Sequence, residues 1–205
     1  EAARAGFARG ADAAQPLSAR TLEEVAKFQR VSVAGHLDGA HQFLLDNRSY
    51  QGRPGYEVLT PLVRADGRVL LVDRGWVPFT GSRARLPDVS LPGAPLVVLT
   101  GRAADLPSAG LALGRAPPAG AGPWPRVTSF PEPAQLARAL GAPLGARILL
   151  LDPAAPFGFV RDWQPPGMSP LRHLSYAIQW WCLAALVLAV WLVLALRSRR
   201  RAPPP

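Results

Sequence analysis

His173, Tyr176 and Trp180 stand three and four residues apart, so on a helix they share one face. An imidazole on such a face can ligate haem iron, and aromatic rings beside it can lie against a porphyrin. The same pattern also serves as a plain aromatic belt at a membrane surface, with a hydrated histidine that binds nothing. A second unusual stretch is Val72-Asp73-Arg74-Gly75-Trp76-Val77-Pro78, which ends an apolar run yet sets a carboxylate, a guanidinium and an indole together. Its structural reading is an Asp73–Arg74 pair and a packed Trp76 at a strand end, with Gly75 at a bulge. On that reading Arg74 and Trp76 hold a sheet together and bind no cofactor. His36 and His41 flank Asp38 and read as polar residues at a strand end. HExxH, GxSxG and the P-loop are absent, and no carboxylate pair is placed for acid–base work, so catalysis is not expected.

The element that must carry the first group is a membrane helix. Residues 177–196 read AIQWWCLAALVLAVWLVLAL, with no charge, proline or glycine. Twenty helical residues rise about 30 Å, the thickness of a bilayer's hydrocarbon. Trp180 and Trp181 lie at one end and Trp191 near the other, as interfacial aromatics do. Arg197, Arg199, Arg200 and Arg201 follow directly, and a cluster of that kind stays in the cytoplasm. The residues before Tyr176 are then extracytoplasmic. A domain of that size needs a translocation signal, and residues 1–30 hold no apolar run, so a first membrane helix or signal is expected upstream of Glu1. The expected organisation is an N-terminal segment over 1–20, an extracytoplasmic domain over 21–170, a transmembrane helix over 172–196 and a basic tail over 197–205.

The extracytoplasmic part reads as β-rich. Pro (23) and Gly (19) are both abundant in the 205 residues, which suits a loop-rich β domain. The net charge of +9 raises nucleic-acid binding, but the arginines outside the tail are scattered, and the tail is explained by topology, so no nucleic-acid partner is expected. The single cysteine, Cys182, excludes an intrachain disulfide, and no CxxCH offers covalent haem attachment. Thr21 and Glu24 have capping-box spacing and predict a short helix over 21–29. Strands are predicted over 30–38, 41–50, 55–64, 68–77, 95–103, 126–130 and 146–152. Asp66-Gly67 marks a hairpin between the third and fourth of these, and Pro61 marks an edge or a bulge. Pro133 and Gly141 bracket a helix over 132–140. Residues 104–125 read as a long loop. The fold class is therefore mainly β with small helices, an antiparallel barrel-like domain, plus a C-terminal transmembrane α-helix.

Three stretches in this order resemble the Surfeit-locus family of cytochrome c oxidase assembly factors. They are Arg53-Pro54-Gly55-Tyr56-Glu57-Val58-Leu59-Thr60-Pro61-Leu62, then Val72–Pro78 as quoted above, then His173-Leu174-Ser175-Tyr176-Ala177-Ile178-Gln179-Trp180-Trp181. The resemblance runs from about Leu22 to Leu196. Asp73 stands where an asparagine is also common in the family. Members have two membrane helices flanking the soluble domain. The resemblance implies a non-enzymatic helper that aids delivery or insertion of haem a into the large catalytic subunit of a haem–copper oxidase. It implies that subunit as partner, haem a synthase as a second partner, and a bacterial inner membrane ahead of a mitochondrial one. It places the His173–Ala177 stretch at the start of the family's second membrane helix, and with the helical spacing noted above His173 is expected to contact haem a as iron ligand, with Tyr176 and Trp180 lining the same face. Met168 is a weaker candidate for a second ligand. The competing expectation is a scaffold that stabilises the oxidase subunit and never touches haem.

Overall fold

The computed structural model describes residues 13–107, 122–129, 132–163 and 170–200, with side chains described over 174–197 of the last stretch. The chain divides into two compact units, one ending at Pro165 and one starting at Pro166. Among the described residues, eight strands and two α-helices follow in the order β1 (Gln15–Pro16), β2 (Arg30–Leu37), β3 (Phe43–Tyr50), β4 (Arg53–Val63), β5 (Val69–Pro78), β6 (Leu96–Asp105), β7 (Arg126–Thr128), α1 (Pro133–Leu140), β8 (Arg147–Leu151) and α2 (Pro170–Arg200).

Strands β2, β6, β8, β5 and β4 lie side by side in that order, and β4 returns to β2, so five strands close a barrel. The alternation that marked β2 decides its faces. Val31, Val33 and Leu37 point inward while Ala34 and His36 stay exposed. Val31, Val33, Leu62, Val72, Leu99 and Leu149 meet in the barrel interior. A second cluster, with Phe43, Leu59, Leu71 and Ile148, packs under Leu136 of α1. Neighbouring residues Leu71 and Val72 of β5 thus enter different clusters, and that strand is buried at nearly every position. Complete burial of one such leucine contributes roughly 1.5–3 kcal/mol.

The hairpin expected at Asp66-Gly67 is present: β4 pairs antiparallel with β5, and Arg64 donates its N–H to the Arg68 carbonyl at 2.9 Å. The sheet is not antiparallel throughout, since β8 runs parallel to β5, β1 to β2 and β7 to β3. Pro61 sits neither on a free edge nor at the bulge. It pairs with Leu71 on one side, and its other side falls where β4 passes from β3 (last paired at Leu59) to β2 (first paired at Leu62). That handover is a position where no ladder N–H is required.

The helix expected over 21–29 is a single 3-10 turn, Leu22–Glu24. Glu24 does accept the Thr21 N–H at 3.2 Å, as the capping spacing predicts. The turn stops because Val25 is already extended and Phe28 adopts φ 65°, donating its N–H to Ala103 of β6 at 2.7 Å. Burial of Leu22, Val25 and Phe28 against the sheet outweighs local helix propensity. The predicted helix over 132–140 forms as α1, with Pro133 in its first turn and Gly141 at φ 69° closing it, a conformation glycine adopts without strain.

Candidate functional site

Between Asp73–Leu59 and Trp76–Glu57 the register of β4 and β5 shifts: β5 contributes Arg74 and Gly75 where β4 contributes Val58. This is a β-bulge, and Gly75 takes φ 107° there. A Cβ at Gly75 would lie 2.5 Å from the Val160 carbonyl oxygen, so a neighbouring backbone segment also demands glycine.

The bulge turns Arg74 inward, where it is only 3% exposed. Its Nη1 donates to Gln42 Oε1 at 2.8 Å and to the Val89 carbonyl at 3.0 Å. Its Nε donates to the Phe157 carbonyl at 2.6 Å, and the guanidinium lies 4.7 Å from the Phe159 ring centroid. The expected Asp73–Arg74 pair does not form. Among the described residues Arg74 has no carboxylate partner, because adjacent strand residues point to opposite faces and neutral acceptors from distant segments fill its fork. Burial lowers the guanidinium's pKa to about 10, and the like charge of Arg161 adds to this, so the group stays charged at neutral pH. Asp73, 1% exposed, accepts the Gly75 N–H at 2.9 Å. Its carboxyl is pushed well above the usual range, first by burial and then by the charge of Glu57. Glu57 is raised by burial too, against the pull of Arg48, whose Nε lies 3.1 Å from it.

Trp76 is almost fully buried, its ring tilted against Tyr50 at 5.5 Å. Its indole N–H has no hydrogen-bond partner among the described residues, so it serves the fold by packing. The segment over 157–163 completes this region. Phe159 donates to the Arg74 carbonyl at 2.7 Å, and Trp76 and Val160 exchange backbone bonds at 2.7 and 3.2 Å. Arg161 donates to the carbonyls of Asp152, Pro153 and Ala155 at 2.8–2.9 Å. Sequence reasoning missed Gln42, Val89, Phe157 and Arg161 as parts of one network. They come from segments 15 to 87 positions from Arg74, and no local pattern links them.

In α2, Leu174–Arg197 is 24 residues long, has a mean hydropathy of 2.2 and is long and apolar enough to cross a membrane. His173 lies in the first turn of the helix; its side chain is outside the described set. Tyr176 and Trp180 are 52% and 70% exposed, and four residues apart on one stripe. That stripe continues through Leu183, Ala184 and Val187 to Trp191 as a shallow apolar trough. Met168 lies outside the described residues.

The other histidines separate. His41 Nδ1 meets Asp38 Oδ2 at 2.7 Å, with its ring edge-on to Trp124 at 5.0 Å. His36 turns to the Ala94 carbonyl at 3.2 Å. Among the described residues no cluster of three His, Cys, Asp or Glu could hold a metal ion.

Comparison with known proteins gives one consistent result. The family model described as SURF1 family matches residues 3–185, which include the barrel and the start of α2. A protein of Mycobacterium tuberculosis named an uncharacterized SURF1-like protein is 32% identical over 188 residues, 88% of this chain and 67% of its own length. One of Mycobacterium bovis with the same description matches equally well.

Proposed function

The chain belongs to the SURF1 family, whose members are generally cytochrome oxidase assembly factors, and on that premise we propose that it is a membrane-anchored, non-enzymatic assembly factor for haem–copper cytochrome c oxidase. In this reading it aids delivery or insertion of haem a into the large catalytic subunit, with haem a synthase as a further partner. The observation that carries the proposal is the family match running unbroken from the barrel into α2. A carrier for an amphiphilic macrocycle needs a site at the membrane boundary, and the His173, Tyr176 and Trp180 positions fall at the start of the apolar helix. The described part of that face fits a flat ring system. Tyr176 and Trp180 are exposed at a spacing that lets one planar ligand lie along both.

Each residue then has a task. His173 offers one imidazole to the haem iron. Tyr176 and Trp180 orient the macrocycle and shield one of its faces from water. A single protein ligand suits a carrier, which must release its cargo. The anchor sits in the bacterial inner membrane, with the barrel in the periplasm and the arginine tail in the cytoplasm. The test is a spectrum of the full chain purified from cells making haem a. His173→Ala should remove the bound haem a signal and leave membrane insertion intact. Unchanged haem content overturns the haem role and leaves the alternative, a scaffold that stabilises the oxidase subunit without binding haem.

A further inference from the structure

A cavity of about 300 Å³ opens at one end of the barrel, and none of its lining residues is among those discussed above as haem contacts. Leu17, Leu22, Val69, Leu70 and Leu144 supply an apolar wall. The turn after β4, the segment before β2 and the loop before β8 bring them together, as barrel mouths commonly do for small ligands. At roughly 30 Å³ for each water-sized group, the space has room for about ten such groups, the bulk of a medium-length alkyl chain.

The charged part of the lining is strongly one-sided: three guanidinium groups, Arg64, Arg68 and Arg147, and one carboxylate, Glu23. Two of the arginines are committed to the fold. Arg64 donates to the carbonyls of Ser18 and Arg20 and pairs with Asp66 at 3.3 Å. Arg147 donates to the carbonyls of Leu22 and Val25 and lies 3.4 Å from Asp105. Glu23 is engaged too, accepting the Arg147 N–H at 3.2 Å. Arg68 is different. Its side chain is 55% exposed, its nearest carboxylate is 3.9 Å away, and one Nη1 bond to the Ala19 carbonyl at 2.8 Å holds it beside the opening. An apolar slot with a loosely paired guanidinium beside it is complementary to a chain with an anionic head.

We infer that this cavity binds a single-chain anionic amphiphile, its chain of about ten carbons in the barrel mouth and its carboxylate or phosphate on Arg68. A free fatty acid and a lipid-derived alkyl phosphate share that chemistry.

The test uses the full chain in nanodiscs of zwitterionic lipid, photo-crosslinked with decanoate bearing a diazirine and mapped by peptide mass spectrometry. Label should fall on peptides holding residues 17–22, 69–70 and 143–147. Arg68→Ala should reduce it about tenfold. Leu144→Trp, which fills the slot, should abolish it; if that variant melts early, Val69→Phe takes its place. Unlabelled decanoate should compete, and decyl phosphate competing more strongly would mark a lipid-derived source. Label confined to α2, or equal competition by decanol, overturns the proposal, because the first denies the cavity and the second denies the anionic head.

Discussion

Trp76 and Trp180 lie in two of the three stretches that carry the family resemblance, and their surroundings are opposite. Trp76 is nearly buried, crossed by Val160, beside a guanidinium whose acceptors come from three separate segments. Trp180 is 70% exposed on a helix whose described side chains are almost all exposed. A side chain packed inside the fold serves the fold, and mutating it tests stability. A large apolar side chain left uncovered on a helix of membrane length is covered by something outside the chain, lipid or partner or ligand. The same residue type thus has two separate kinds of consequence, and mutants can separate them.

The largest effect should come from Trp76→Ala, which removes a packed indole and should cost about 3–5 kcal/mol, enough to unfold a marginal domain. Thermal melting of the barrel reads it. An unchanged melting temperature with lost oxidase assembly would break the comparison and make the Val72–Pro78 stretch a partner surface. Arg74→Met should cost less. Gln42 Oε1 keeps its bond from Thr60, and the Val89 carbonyl keeps its bond from Gln42 Nε2. Among the described residues the Phe157 carbonyl then loses its side-chain donor and Thr60 Oγ1 a long 3.5 Å contact, so about 1–3 kcal/mol is expected in denaturant titration.

Asp73 supplies a signed prediction within the same region. Its folded-state pKa lies well above 3.8, because of burial and then Glu57. A carboxyl raised in the fold keeps its proton longer than in the unfolded chain. Its contribution to stability is therefore full below about pH 3.8 and is lost as pH climbs through the folded-state value. Asp73→Asn cannot ionise and keeps the oxygen that accepts the Gly75 N–H. The variant should be more stable than the parent at neutral pH, and its unfolding midpoint should fall less between pH 4 and pH 7. An equal fall in both proteins would show that the ionised carboxylate is already accommodated, by Arg48 or by water.

Much of the barrel was legible because it rests on local periodicity: Val31 and Val33 alternate with polar neighbours, and Asp66-Gly67 separates two apolar runs. What was not legible depends on long-range closure. The 21–29 segment has a sound helix signal, yet Phe28 is drawn to Ala103 of β6 and the helix ends after one turn. Asp73 looked like the natural partner of Arg74 because it is next in sequence, but the strand sends the two side chains apart and the bulge delivers Arg74 to Gln42, Val89 and Phe157. Gly75 at a bulge was readable, since glycine inside an apolar strand has few other uses. The face of α2 was readable as a spacing from the sequence alone, and the same spacing serves a belt, a haem contact or a helix partner.

The smallest effect on stability should therefore be the most informative about that face. Trp180→Ala removes an indole that is 70% exposed. Alanine is also the best helix former, so α2 itself should not weaken. The barrel's stability, read by thermal melting, should stay within about 0.5 kcal/mol of the parent's. Bound haem a, read by absorption in the same preparation, should fall severalfold if Tyr176 and Trp180 share the macrocycle, because half of the aromatic platform is gone. Tyr176→Ala should behave alike, and Trp191→Ala, eleven residues further along the same trough, should leave haem content unchanged. That last variant separates ligand from belt. Equal losses at Trp180 and Trp191 would mean that the trough acts as one membrane-embedded surface, and unchanged haem at all three would leave the stripe to lipid.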